Sequence, residues 1–79
     1  GKTDPLNVPL RPSVGVVKTS FTYEPGHDHA TGTVEYRGEL WTARCATEDA
    51  ERLINGAPCK IIDSQGLTLL VRSDNEQAV

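Results

Sequence analysis

Methionine is absent from this 79-residue chain, and aromatic residues are few: one Trp, one Phe and two Tyr. A chain that opens Gly1-Lys2-Thr3 without any Met reads as either processed or cut from something longer, the favoured expectation being an excised domain with Gly1 as a cleavage scar. Long apolar runs are missing too. No stretch approaches the roughly 20 apolar residues that span a bilayer, and no charged start followed by an apolar core marks a signal peptide, so the sequence as given reads as soluble. Positive charge is scarce, with 8 Lys and Arg against 11 Asp and Glu for a net charge of -3. Such a balance supplies no diffuse positive field for phosphates or anionic lipid. Cysteine is limited to Cys45 and Cys59, without a CxxC spacing or further ligands suited to zinc. Both are expected as buried free thiols, a disulfide between them being the alternative. A chain this short makes one domain that buries only about 60–65% of its unfolded surface, so each inward position matters.

What is present is β-strand grammar. Residues 1–12 carry Pro5, Pro9 and Pro12 among polar neighbours and are expected to be a flexible linker. The barrel domain is expected over 13–73 and a disordered polar tail over 74–79. A first strand is expected from Val14 to Phe21, ended by the Pro25-Gly26 turn. Arg37-Gly38 between two alternating runs then predicts a two-residue hairpin, pairing Tyr36 with Glu39, Val34 with Trp41, Gly32 with Ala43 and Ala30 with Cys45 on the inward side. The outward side carries Glu35 with Leu40, Thr33 with Thr42 and Thr31 with Arg44. A one-residue slip would bury Glu35 and Arg44, which specifies the register strongly. Over 47–56, Thr47 reads as the N-cap of one or two helical turns stopped by Asn55-Gly56, with Leu53 and Ile54 seating them on the barrel. Glu48 and Asp49 suit the helix dipole there. The last hairpin is expected to turn through Ser64-Gln65-Gly66, setting Asp63 opposite Leu67, Ile61 opposite Leu69 and Cys59 opposite Val71. Five short strands with one short helix between the third and fourth predict an all-β OB-fold barrel, with an SH3-like barrel as the rival.

The order Gly38-Glu39-Leu40-Trp41-Thr42-Ala43-Arg44, Ile54-Asn55-Gly56, Cys59-Lys60-Ile61 and Gly66-Leu67-Thr68-Leu69-Leu70-Val71 resembles the C-terminal soluble domain of the NfeD family of membrane proteins. Val14-Gly15-Val16-Val17 and Gly32-Thr33-Val34 fall where that family has its Gly-Val and Gly-x-Val strands, and the resemblance spans about residues 10–72. Two departures stand out: Cys59 replaces a small aliphatic residue, and the loop over 21–29 is longer and more polar. The resemblance implies an OB-fold following a membrane-embedded helical region. It also implies stomatin, prohibitin or flotillin-like membrane scaffold partners, in membrane organisation or quality control. Free thiols suggest that the domain faces the cytoplasm. A serine protease module belongs to the N-terminal part of long family members, and nothing in this chain resembles it.

Candidates for chemistry are sparse. His27-Asp28-His29 offers two imidazoles at alternating positions that would need a third ligand such as Glu24 to hold a metal; the competing reading is a solvated turn. Ser20, Ser64 and Ser73 lack both a Gly-x-Ser-x-Gly context and an adjacent base. No enzyme activity, cofactor or metal is therefore expected. The alternative function is a single-stranded nucleic-acid-binding OB module, with Phe21 and Tyr23 as stacking rings. Against it, Thr33, Glu35, Leu40, Thr42 and Arg44 make a poor phosphate groove, and Glu24 and Asp28 repel phosphate. The remaining reading is protein–protein contact, possible self-association included, through an outward candidate interaction surface of Leu40, Ile62 and Leu70. Because the third strand of an OB-fold neighbours the fifth, Leu40 and Leu70 are expected to share one patch.

Overall fold

The alternating and β-branched segments form five strands in a computed structural model that describes residues 13–74. They are β1 (Ser13–Tyr23), β2 (His29–Tyr36), β3 (Glu39–Ala46), β4 (Pro58–Gln65) and β5 (Thr68–Ser73), with one 3₁₀ helix (Thr47–Arg52) between β3 and β4. The linker expected over 1–12, and all but the first residue of the tail expected over 74–79, lie outside the described residues.

The strands close into a barrel in the order β1-β2-β3-β5-β4. Only β3 and β5 run parallel. This is the OB-fold connectivity rather than an SH3-like one, and closure removes the exposed sheet edges that invite unwanted pairing. β1 serves two neighbours: Ser13 to Val16 pair with β4, and Val16 to Tyr23 pair with β2. Two register breaks, between Val17 and Thr19 and between Thr19 and Thr22, bend it round the barrel.

The β2–β3 hairpin has the expected register throughout, from Tyr36 opposite Glu39 to Ala30 opposite Cys45. Arg37 and Gly38 both take positive φ, 57° and 81°, as a two-residue type I′ turn requires. Val17, Val34, Leu53 and Cys59 are the largest fully buried side chains, surrounded by Phe21, Ala30, Ala43, Cys45, Leu69 and Val71. Trp41 is half-buried and packs against this core with Tyr36 and Ile61 at the hairpin end. Both cysteines are buried and free, so the disulfide alternative is not formed.

Leu53 plugs the other end. Its carbonyl accepts the Phe21 N–H at 3.0 Å, and the backbone after it runs along β1, where Gly56 N–H donates to Val17 O at 2.7 Å and Val17 N–H to Ala57 O at 2.8 Å. Asn55 adds a side-chain tie from Nδ2 to Lys18 O, and its N–H donates to Ser20 Oγ. Segment 53–57 thus satisfies backbone groups of β1 that have parted from β4.

Several expectations change. The helical turns are 3₁₀, and the N-cap is Ala46 without any side-chain cap, not Thr47. Ile54 stays 56% exposed, leaving Leu53 as the only seat of that pair. The last hairpin turns through Gly66-Leu67 alone, because Gln65 pairs with Thr68. Gly66 takes a φ of 60° at the first central position, where a two-residue turn of type II′ wants glycine. Asp63 therefore meets Leu70, not Leu67, and Ile61 meets Val71 after a bulge that leaves Ile62 unpaired. Leu67, expected inward, sits at the turn 83% exposed.

Candidate interaction surface

Among the described residues no polar or charged residue is buried, and the reactive side chains inside the barrel are the thiols of Cys45 and Cys59. Other chemistry must be sought outside. His27 and His29 rings stack edge-on with centroids 5.0 Å apart, while Asp28 between them is fully exposed. The Glu24 carboxylate already accepts the Thr31 hydroxyl at 3.0 Å. Among the described residues no group of three His, Cys, Asp or Glu side chains converges on a metal position.

Burial pushes the Cys45 thiol up to about 11, helped by the nearby carboxylates of Asp49 and then Glu48. The Cys59 thiol is also raised by burial, with a backbone hydrogen bond at Gly15 acting the other way. Thiols held protonated in this way make poor nucleophiles.

The stacking pair expected for a nucleic-acid site does not exist. Phe21 lies in the core across Gly32 of β2, where no Cβ intervenes. Tyr23 is exposed, and its hydroxyl reaches only Thr47 O at 3.5 Å. On the outward face of β2 and β3, Glu35 is paired with Lys18 at 3.4 Å.

Leu40, Ile62 and Leu70 all belong to the outer surface, but they form two groups. Leu40, 69% exposed, lines a shallow depression with Glu39, Trp41, Thr42 and Leu67 at the hairpin end. The indole Nε1 of Trp41 is buried beside it without an acceptor. Leu70 is half-buried next to Arg44, because the parallel ladder pairs Thr42 with Thr68 and Arg44 with Leu70. Extending that register puts Leu40 and Leu70 four residues apart along the strands, about 13 Å at strand rise, so they do not share one patch. Leu70 instead joins Ile62, which is 54% exposed, in a groove of ≈ 240 Å³ lined also by His29, Arg44, Cys45, Ala46 and Val71. The sequence signal for the Leu40 and Leu67 pairing was Gly66, whose place in the turn decides which residue caps the hairpin.

Comparison with known proteins agrees with this architecture. Residues 13–72 match the family described as the NfeD-like C-terminal, partner-binding domain. Among solved structures, the C-terminal domain of stomatin operon partner protein 1510-C from Pyrococcus horikoshii is similar, at 28% identity and a TM-score of 0.59. The match covers 82% of this chain and 88% of that one. No curated protein matches the chain.

Proposed function

We propose, from the premise that this chain belongs to the NfeD-like C-terminal, partner-binding domain family, that it is the non-catalytic docking domain of a membrane-anchored protein. In this reading it holds a stomatin-like, prohibitin-like or flotillin-like membrane scaffold protein, and serves membrane organisation or membrane-protein quality control from the cytoplasmic side. The observation that carries it is a sealed apolar interior combined with large aliphatic side chains, Leu40 and Ile62, left outside on a small barrel. A barrel of about 60 residues has few apolar groups to spare, and Leu40 and Ile62 are among several large apolar side chains that it leaves in water, which makes sense where a partner covers them. The similar structure belongs to a stomatin operon partner, which favours the stomatin-like class among the three.

The test is capture of a full-length stomatin-like membrane protein, in detergent, by the immobilised domain. Leu40→Asp, Ile62→Asp and Leu70→Asp are compared with the parent chain, each first shown to melt cooperatively. Loss of capture in at least one variant is the expected result. Equal capture by all three rejects this surface, and no capture by the parent rejects the partner class. Sedimentation of the free domain reports self-association through the same residues.

A further inference from the structure

We infer that the groove between β3, β5 and β4 receives a partner segment in which aliphatic side chains are interleaved with Asp or Glu. This rests on the docking reading above and adds the chemistry of what docks.

The groove exists because two ladders fail at the same level. The parallel pairing of β3 with β5 stops at Arg44 opposite Leu70, leaving Cys45 and Ala46 on one wall and Val71 on the other. In β4 the bulge between Ile61 and Asp63 leaves Ile62 unpaired, and its side chain stands in solvent beside Leu70. Ala46, Ile62 and Leu70 make the apolar part.

Basic side chains flank it, although Asp63 stands opposite Leu70 and the carboxylates of Asp49 and Glu48 lie near Cys45. Arg44 lines the groove itself. Two residues beyond Ile62 and Leu70, Lys60 lies directly opposite Arg72. Like charges directly opposite each other in a ladder are destabilising, and Lys60 is near a carboxylate, Asp74 at 4.0 Å. Among the described residues no acidic side chain lines the groove. The nearest acid in the ladder, Asp63, accepts the Ser64 N–H at 2.8 Å. Three of the chain's 8 basic residues thus gather on this face of a molecule with net charge -3.

Arg44 is the most specific pointer. Its Nε is buried without an acceptor, and Nη1 has only Gln65 Oε1, at 3.5 Å. A guanidinium offers five donors in a fork that matches a carboxylate, and charge-assisted bonds of this type are about twice as strong as neutral ones. An aliphatic residue on Ile62 and Leu70 with a carboxylate on Arg44 satisfies both halves of the site. A nucleic acid fits less well, since its sugar-phosphate backbone offers nothing to the apolar part and, among the described residues, the imidazole of His29 is the one ring in the lining.

A random dodecapeptide display library selected on the immobilised chain tests this. Recovered sequences are expected to combine Leu, Ile or Val with Asp or Glu, and to bind about tenfold more weakly to Arg44→Glu and to Ile62→Asp. Leu40→Asp, at the other depression, should keep them. Arg44→Gln removes charge without reversing it and should give an intermediate loss, which separates charge from misfolding. Absence of enrichment, recovery of Lys-rich or Arg-rich sequences, or unchanged binding by Arg44→Glu overturns the inference. So does Arg44-dependent binding to phosphatidylserine vesicles without peptide recovery, which would make the occupant a lipid surface. If selection fails while Ile62→Asp still abolishes capture of the stomatin-like protein, the acidic chemistry falls and docking stands. If acidic peptides are recovered but the parent captures no stomatin-like protein, the groove stands and the partner class falls.

Discussion

Replacing Gly32 by Ala should be among the most damaging single-methyl changes available to this barrel. An ideal Cβ there would lie 2.7 Å from Phe21 Cδ1, 2.9 Å from Phe21 Cγ and 2.7 Å from the Thr19 carbonyl oxygen. All three are closer than carbon tolerates, and the third is backbone held in the bent part of β1. Gly32 has no positive φ, so strain in its own dihedrals is not the issue. In the absence of a clash the substitution would help: Ala narrows the unfolded ensemble by about 0.4–1 kcal/mol. Burying a methyl adds roughly 0.8 kcal/mol more. Overpacking of this kind costs about 1–3 kcal/mol and occasionally more, and because here both a ring and a main chain must move, a gross cost of about 3–4 kcal/mol is expected. A net loss of about 2 kcal/mol is expected, against a total stability of about 3–9 kcal/mol for about 60 residues. With a urea m-value of about 1 kcal/mol/M, the midpoint should fall by about 2 M. Gly66→Ala is the control, since its φ of 60° carries strain but no atom lies within 4 Å; a loss of about 1 kcal/mol is expected there. Phe21→Leu in the Gly32→Ala background should recover part of the loss through a favourable coupling of about 1 kcal/mol. A Gly32→Ala midpoint equal to or above that of the parent would refute the claim that the ring of Phe21 is seated on a bare backbone.

Two further outcomes follow from the core. Leu53→Ala should cost about 3 kcal/mol, read by urea or thermal unfolding, because a fully buried plug leaves a cavity that the barrel wall cannot collapse to fill; a loss below about 1 kcal/mol would show that the 3₁₀ segment does not close the barrel. At pH 8 a thiol reagent should modify Cys45 about 100-fold more slowly than an ordinary exposed cysteine, since its pKa is pushed up to about 11. Because the folded thiol is raised above the unfolded value of 9.0, the stability it contributes is complete below pH 9 and declines as pH rises from 9 towards 11. Stability that is flat across that window would contradict the burial of Cys45.

The legible parts of the sequence were those where turn chemistry and alternation agreed. Arg37-Gly38 admits positive φ at two adjacent positions, and the flanking runs alternate so strictly that only one register keeps Glu35 and Arg44 out of the core. That hairpin, together with Leu53 as a plug and the two buried thiols, was readable from residue types alone. Phe21 was not, because a ring stacked on Gly32 looks, in sequence, like an aromatic at the mouth of a polar loop. The β4–β5 hairpin was read with Cys59, Leu69 and Val71 correctly inward, yet with the wrong partners, and with Asp63 and Leu67 inward where both are exposed. Placing Gly66 third in a longer loop displaced the register by an odd number of residues. The bulge at Ile62 took one residue of that displacement back, so parity was restored beyond it and Cys59, Leu69 and Val71 stayed inward.

That hidden bulge also explains why the candidate surface was only half visible. Alternation placed Ile62 outward, but hydrophobic patterning carries no mark of the bulge that leaves it unpaired beside Leu70, and Leu70 was assigned to Leu40 by topology alone. The local costs gather at this one place: an isoleucine more than half exposed, Lys60 set against Arg72, and a guanidinium nitrogen buried without an acceptor. Each is small on its own, and each is a choice that stability by itself would reverse. A barrel with so little core to spend has no reason to concentrate three such choices within two residue steps of one another unless the groove between them is filled by something outside the chain. By the same reasoning, Arg72→Thr, which removes the opposed like charges without touching the groove floor, should leave the free domain as stable or slightly more stable while weakening its hold on acidic segments. A variant that lost stability along with affinity would assign Arg72 a role within the fold itself.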